Sequence, residues 1–459
     1  MKPPRASFYT LGCRLNQAET ALIAETFRER GYEIAEHGSP VDVAVINTCS
    51  VTEHADQRCR QEIRKVRRRS PSAVVCAVGC YAQADTATVS GILGVDYVVG
   101  TDGKYALAQI ISESPRPSDA SGLKPLVRNQ GLRRPQQENT EAGERMAPAV
   151  LVSQRPDTGE FDYPMAGYYP HSTRANIKIQ DGCDSCCAFC LLPRVRGAAR
   201  SRSMEQIVAE GHELVRRGHK ELVITGVNIG TYNCDGKSVA DVLQSISEIP
   251  GVQRVRISSI EPSTIGDELL DWLASSPKAC RHLHLPLQSG DDAVLSRMKR
   301  VYTASEYARF IERAKTMMPD LGLGTDIIVG FPGETDREFD QTLRFVEQLP
   351  LSYLHVFSYS ERPKTAAAFY DDKNDPARIK ERSERMHEVA TRKKQAFFDD
   401  HIGRKVEVLF ETVDADGWRK GFTGSYLRVG IEPETVGENR LANVEVSGTT
   451  PDFCVGALR

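Results

Sequence analysis

Apolar and polar positions along the first hundred residues switch between two periods. "ASFYTLG" (6–12) reads as a strand, and residues 16–30 place Leu22, Ile23 and Phe27 on one face of a helix. "VDVAVINT" (41–48) predicts a second strand, residues 53–69 a strongly basic helix, "SAVVCAVG" (72–79) a third strand and "VDYVVG" (95–100) a fourth. Strands alternating with helices imply a parallel α/β sheet covered on both faces. Ligands of such sheets sit beyond the carboxyl ends of the strands.

Between about 112 and 169 the alternation stops. "SESPRPSDASGLKP" and "LRRPQQENTEAGERMAP" are rich in Pro, Ser, Glu, Gln and Arg, the composition of a linker or disordered insertion. From Thr173 the pattern resumes, predicting strands at 175–180, 220–225, 253–258, 281–286, 323–330 and 353–358. Helices fill 203–217, 238–248, 266–275, 303–318 and 335–347. Roughly six such units suit a partial (β/α)6 barrel, a smaller relative of the eightfold one. A charged helix follows within 374–403. The last sixty residues are short strands between Gly and Asp-Gly turns, as in a small β-barrel. The expected organisation is an amino-terminal α/β domain (1–111), an insertion (112–169), a barrel with its trailing helix (170–400) and a β-barrel (401–459).

Composition narrows the class. The 459 residues are 40% hydrophobic and 26% charged, with a net charge of −3, so any nucleic-acid surface must be local. No run of about 18 apolar residues predicts a membrane span, and "MKPPRASFYTLG" lacks the apolar core of a signal peptide. The expectation is a cytoplasmic chain with reduced thiols, in which 12 cysteines point to metal or redox chemistry.

"DGCDSCCAFC" (181–190) concentrates that chemistry. Cys183, Cys187 and Cys190 form C-x3-C-x2-C directly after the first barrel strand. A structural zinc site would require four closed ligands, commonly as two knuckles, and no second knuckle or His pair follows. Three cysteines holding a 4Fe-4S cluster leave one iron open to a substrate. Cys186 is then surplus, a small side chain filling its position.

The segment "KIQDGC…C…C…PRVRGAARSR" resembles the cluster loop of the radical S-adenosylmethionine enzymes, in particular the methylthiotransferases. "TLGCRLNQAET", "NTCSVTEHAD" and "VGCYAQ" resemble the three cysteine motifs of that family's amino-terminal domain. "HLPLQSGDDAVLSRMKRVYT", "DIIVGFPGET" and "VFSYSERPKTAA" resemble its barrel motifs, and the terminal β-barrel its TRAM module. The resemblance spans the whole chain except 112–169. It implies that Cys183, Cys187 and Cys190 serve catalysis through one 4Fe-4S cluster, and that Cys13, Cys49 and Cys80 bind a second. Each of the latter lies at or just after a predicted strand end. Between Cys76 and Cys80, Cys76 lies within an apolar strand and Cys80 at the turn after Gly79, the better place for a ligand. Cys59, Cys234, Cys280 and Cys454 read as structural.

The resemblance further implies S-adenosylmethionine, cleaved to a radical that takes hydrogen from an unactivated carbon, and an external electron-donor protein. "TGVN" (225–228), "SSIEP" (258–262), Gln288 and "GFPGE" (330–334) mark cofactor contacts, with Gly226, Asn228, Glu261 and Gln288 as the residues assigned to it. Plain turn glycines and a helix-start carboxylate at Glu261 are the competing readings.

"RCRQEIRKVRRR" (58–69) holds seven Arg or Lys against one Glu, a face able to neutralise phosphates or simply to be solvated. The RNA contacts expected are Arg64, Arg67, Arg68 and Arg200; Arg194, Arg196 and Arg202 either reach a phosphate or cap the site. Residues 401–459 carry seven basic against nine acidic residues, so their charge does not support RNA binding. Phe422 and Tyr426 either stack on bases or belong to the core. "GCRLNQ" and "NTCSVT" resemble the branch acting on tRNA threonylcarbamoyladenosine beside the anticodon. The competing substrates are isopentenyladenosine in tRNA and a ribosomal-protein aspartate; the competing class is a non-catalytic iron–sulfur RNA-binding or redox-sensing protein.

Overall fold

The strand Val43–Thr48 is buried at all 6 positions, as a central strand covered on both faces must be. In the computed structural model, which describes residues 2–113, 147–153, 166–170 and 172–458, it lies inside a six-stranded sheet. The order is Glu33–Ala35, Arg5–Thr10, Val43–Thr48, Val74–Gly79, Tyr97–Val99, Ala149–Leu151. Every pairing is parallel. Alternate residues divide between the faces. Ala44, Ile46, Val75 and Ala77 pack with Cys59, Ile63 and Val66 of the basic helix Glu53–Arg69. Val43, Val45, Cys76 and Val78 pack with Ile23 and Phe27 of the helix Arg14–Glu29.

The expected insertion at 112–169 is corrected at both ends. The helix Leu107–Glu113 runs past its start, and Ala149–Leu151 adds an edge strand beside Tyr97–Val99. Ala166 is buried, and the Tyr168 N–H donates to the Ala21 carbonyl. Three apolar residues within a polar stretch are too few to show a period, so only their sheet partner reveals them. Residues 114–146 and 154–165 lie outside the described residues.

The chain divides into two compact units, and the division differs from the expected boundaries. One comprises Met1–Tyr169, Asp181–Ser185 and Cys190–Arg202; the other comprises Pro170–Gln180, Cys186–Phe189 and Ser203–Arg459. In the second, Arg174–Lys178, Glu221–Thr225 and Arg254–Ile257 form one parallel ladder. His282–His284, Gly322–Val329 and Tyr353–Ser358 form another. A parallel bridge from Ser259 to His284 joins them into the six-stranded partial barrel. The intervening helices begin where their caps dictate: Thr303 and Thr335 each close a capping box with the Glu three residues on.

The last strands close into a barrel in the order Lys405–Val413, Arg419–Thr423, Arg428–Ile431, Cys454–Ala457, Arg440–Thr449. This is consistent with a TRAM-like module. It packs within the second unit through buried arginines of the parallel strands. Arg256 pairs with Glu221 at 2.6 Å and donates to the carbonyls of Thr423 and Gly424 at 2.9 and 3.1 Å. Arg254 donates to Phe422 O at 2.9 Å and Glu407 O at 2.7 Å. Phe422 and Tyr426 stack on each other, with Arg174 over Phe422 and His282 against Tyr426. Both rings are therefore engaged within the second unit, by Arg174 and His282.

Candidate metal and cofactor centre

Three neighbouring strands of the first unit end in cysteines. Cys13 caps the helix that follows Arg5–Thr10, Cys49 follows Val43–Thr48, and Cys80 opens the short helix after Val74–Gly79. Cys13 is exposed while Cys49 and Cys80 are buried. Gly12 adopts φ +95°, and a Cβ there would lie 2.7 Å from Cys49 Sγ; only glycine lets the first loop close over that thiol. Burial, then the neighbouring Cys80, pushes the Cys49 thiol up to about 12. Burial raises Cys80 as well, and the Arg196 guanidinium partly offsets it. Cys49 and Cys80 are each raised further by neighbouring thiols, Cys13 among them, so the three strand-end cysteines lie near one another.

The loops are held by residues that sequence reasoning passed over. Asn16 donates to the carbonyls of Leu11 and Thr48 at 2.7 and 3.1 Å, tying the approaches to Cys13 and Cys49 together. Thr48 Oγ1 donates to Val78 O at 2.6 Å and accepts from the N–H groups of Tyr81 and Ala82, holding the turn that carries Cys80. Both residues stand inside "GCRLN" and "NTCS", so the motif letters were the available signal.

The sulfurs of Cys183, Cys187 and Cys190 each receive an N–H. In the first unit Ser185 N donates to Cys183 Sγ and Leu192 N to Cys190 Sγ, both at 3.4 Å. In the second, Arg300 Nη1 donates to Cys187 Sγ at 3.1 Å. N–H donors aimed at sulfur are the pattern of thiolate ligands to iron. Cys186 is exposed. Burial pushes Cys59, Cys280 and Cys454 up to about 12 each, as it does Cys49, and Cys76 is wholly enclosed in the sheet core.

Arg196, expected at a phosphate or as a cap, is buried in the first unit. It pairs with Glu19 and Asp181 and donates to Asn16 Oδ1 at 2.9 Å. Arg202 is buried too, and Arg194 is exposed. Arg200 leans on Asp181 at 3.4 Å.

Among the expected cofactor contacts, Gly226 lies where a Cβ would come within 2.9 Å of Gln180 O, Gln180 Oε1 and Ile229 Cγ2. The N–H groups of Val227 and Asn228 both donate to Gln180 Oε1 at 2.9 Å, shaping the turn. Gln288 holds a left-handed φ of +73°, unusual for a side-chain-bearing residue and characteristic of functional loops. Glu261 makes no side-chain cap; its carboxylate pairs with Arg300. His284, Asp326 and His355 stand on adjacent strands with ligating atoms within 4.8 Å of one another. Both His284 nitrogens are already engaged, by Asp326 at 3.0 Å and Tyr353 Oη at 3.1 Å, which marks a hydrogen-bonded chain more than an open metal site.

On the basic helix, Arg58, Arg64, Arg68 and Arg69 are exposed. Arg67 is a correction. Its guanidinium turns inward to the carbonyls of Gly94, Pro71 and Ala73 and to Asp96, because it follows Val66 onto the sheet side of the helix. Its guanidinium is committed to the amino ends of the interior strands Val74–Gly79 and Tyr97–Val99.

Known proteins resolve the family. Residues 177–346 match the model of the "Radical SAM superfamily" and residues 5–100 that of "Uncharacterized protein family UPF0004". The chain is 36% identical over 92% of its length to the Bacillus subtilis threonylcarbamoyladenosine tRNA methylthiotransferase, covering 89% of that protein. The chain belongs to the radical SAM methylthiotransferase family. It is also 30% identical to the Dehalococcoides mccartyi tRNA-2-methylthio-N(6)-dimethylallyladenosine synthase, over 98% of this chain and 97% of that one. Among solved structures, the Kitasatospora setae radical S-adenosylmethionine methyltransferase TsrM shares the fold, with TM-score 0.54 and 18% identity over 80% of this chain and 77% of that chain. As a member of the family this chain is a transferase, with two 4Fe-4S clusters and S-adenosylmethionine as cofactors. Among the described residues no helix is long and apolar enough to cross a membrane.

Proposed function

We propose that the chain adds a methylthio group to C2 of N6-threonylcarbamoyladenosine at position 37 of tRNA, in the anticodon loop. The observation that carries this reading is the 36% identity, across 92% of the chain, to a relative named for that nucleoside. The 30% identity to a dimethylallyladenosine synthase supports isopentenyladenosine as the second reading.

On this reading Cys183, Cys187 and Cys190 hold the catalytic cluster, and Cys13, Cys49 and Cys80 hold the second. Held by Cys183, Cys187 and Cys190, a cluster with an open iron would supply reductive cleavage of S-adenosylmethionine, and with it hydrogen abstraction from an unactivated carbon. The chain's own residues shape and shield that chemistry. Gly226 and Asn228 form a tight turn for the cofactor beside Gln180, and Gln288 contributes a second wall. Asn16 and Thr48 keep the three strand-end thiols at their spacing. Arg64 and Arg68 on the exposed helix face attract the RNA phosphates, and Arg200 adds charge near the loop. The electron comes from a separate donor protein, and thiolate ligands of this kind suit the reducing cytoplasm.

The test is anaerobic reconstitution of iron and sulfide, then S-adenosylmethionine, reductant and bulk tRNA, with nucleosides resolved by mass spectrometry. A methylthio-threonylcarbamoyladenosine product supports the proposal. Methylthiolated isopentenyladenosine selects the second reading. Deoxyadenosine without any methylthio-nucleoside directs attention to the ribosomal-protein aspartate, and no deoxyadenosine in iron-loaded protein favours a non-catalytic role.

A further inference from the structure

Arg300 is a charge almost removed from water, its side chain 4% exposed. Its three nitrogens are used within the second unit. Nε and Nη2 donate to Tyr302 Oη at 3.2 and 2.8 Å, Nη2 also pairs with Glu261, and Nη1 donates to Cys187 Sγ at 3.1 Å. Tyr302 completes the clamp by donating to Pro286 O at 2.7 Å, and its ring lies 4.9 Å beneath the guanidinium. Backbone bonds fix the distance to the sulfur. Ala188 N donates to Met298 O at 2.9 Å, and Arg300 N folds back to Leu295 O at 2.9 Å. The residue after Cys187 and the turn presenting Arg300 are thus one hydrogen-bonded piece. Burial alone would work against the charge; Glu261, Tyr302 and Cys187 together hold Arg300 above its ordinary pKa.

We infer that Arg300 is a positioning residue that sets the reduction potential of the loop cluster through the sulfur of Cys187, with Glu261 as the opposing charge. The inference rests on the proposed assignment of Cys183, Cys187 and Cys190 to that cluster. Its physics is direct. Reduction adds one negative charge to the cluster, and a cation donating to a ligand sulfur stabilises the reduced form. Glu261 offsets part of that field and holds the guanidinium in place. Solvent screens little of the Arg300 charge, its side chain being 4% exposed, and more of Glu261, which is 23% exposed. Arg300 faces the cluster through the Cys187 sulfur, and that contact is the route by which its charge acts.

The test isolates the loop cluster in the full-length chain with Cys13→Ala, Cys49→Ala and Cys80→Ala together, and follows its reduced-state paramagnetic signal in a redox titration without S-adenosylmethionine. In that background Arg300→Met shifts the midpoint to more negative potential, Arg300→Lys shifts it less, and Glu261→Gln shifts it to more positive potential. Opposite signs at the two partners are the signature of charge; a merely structural pair would move both the same way. Unchanged midpoints in iron-loaded variants, or shifts of one sign, overturn the inference. If Arg300→Met fails to retain iron, the Lys and Gln variants decide by the same criterion. A background with no reducible cluster overturns the loop assignment itself, and the inference with it.

Discussion

Arg196 and Glu19 meet as a bidentate pair closed off from water, with Nη1–Oε1 at 2.8 Å and Nη2–Oε2 at 3.1 Å and side chains 1% and 0% exposed. They lie 177 residues apart in sequence. Lys104 also reaches Glu19, at 2.7 Å, and Asp181 reaches both Arg196 and Arg200, so three cations share two carboxylates inside the first unit.

Removing one member of such a set leaves a buried charge uncompensated. Glu19→Gln should cost about 3–5 kcal/mol, read by denaturant unfolding of the anaerobically purified chain. A loss near zero would mean that water enters and replaces the carboxylate.

Cys13→Ala, Cys49→Ala or Cys80→Ala should remove about half of the bound iron and abolish sulfur transfer, while deoxyadenosine formation continues. Iron analysis and product chromatography check this together. Retained methylthiolation in any of the three would refute its role as a ligand.

Cys186→Ser should keep the iron content and the activity of the unaltered chain, whereas Cys187→Ser should lose cofactor cleavage. Equal damage from both would mean that the loop tolerates no change, independent of ligation.

Arg64→Gln and Arg68→Gln should each weaken tRNA binding and lower the slope of log affinity against log salt by about 1. Arg67→Gln should act differently, lowering thermal stability through Asp96 and Gly94 while the salt slope stays unchanged. Filter binding across a salt series separates the two effects.

Glu221 is buried, and although burial opposes its charge, Arg256 first, with Arg174 and Arg254, holds its pKa below the ordinary 4.5. A depressed carboxylate contributes stability above its unfolded pKa and loses it as pH falls through the folded value. Glu221→Gln should therefore lower the thermal midpoint at pH 7, and the gap to the unaltered chain should narrow as pH drops below about 4.5. A constant gap down to strongly acid pH would show that packing of the amide, not charge, sets the difference.

Most of the fold was legible because local periodicity records it. The central strands, the basic helix Glu53–Arg69 and the barrel helices fall within a residue or two of their expected bounds, since each is specified by neighbours within a few positions. The spacing of Cys183, Cys187 and Cys190 was legible for the same reason, as one loop carries all three. The strands Glu33–Ala35 and Ala149–Leu151 were not, being 3 residues long and defined only by the partner they pair with.

By itself, then, the sequence determined the alternation of elements, the cysteine loop and the strand-end placement of Cys13, Cys49 and Cys80. Only the tertiary structure decided which charges serve which end. Arg67 and Arg68 are adjacent and chemically identical, yet one faces the sheet and the other solvent. Phe422 and Tyr426 are engaged by Arg174 and His282, from strands distant in sequence. Arg300 acquires its meaning from Cys187, 113 residues earlier. Period and composition are local properties; the partner of a buried charge is set by chain closure over long separations, which no neighbouring residue records.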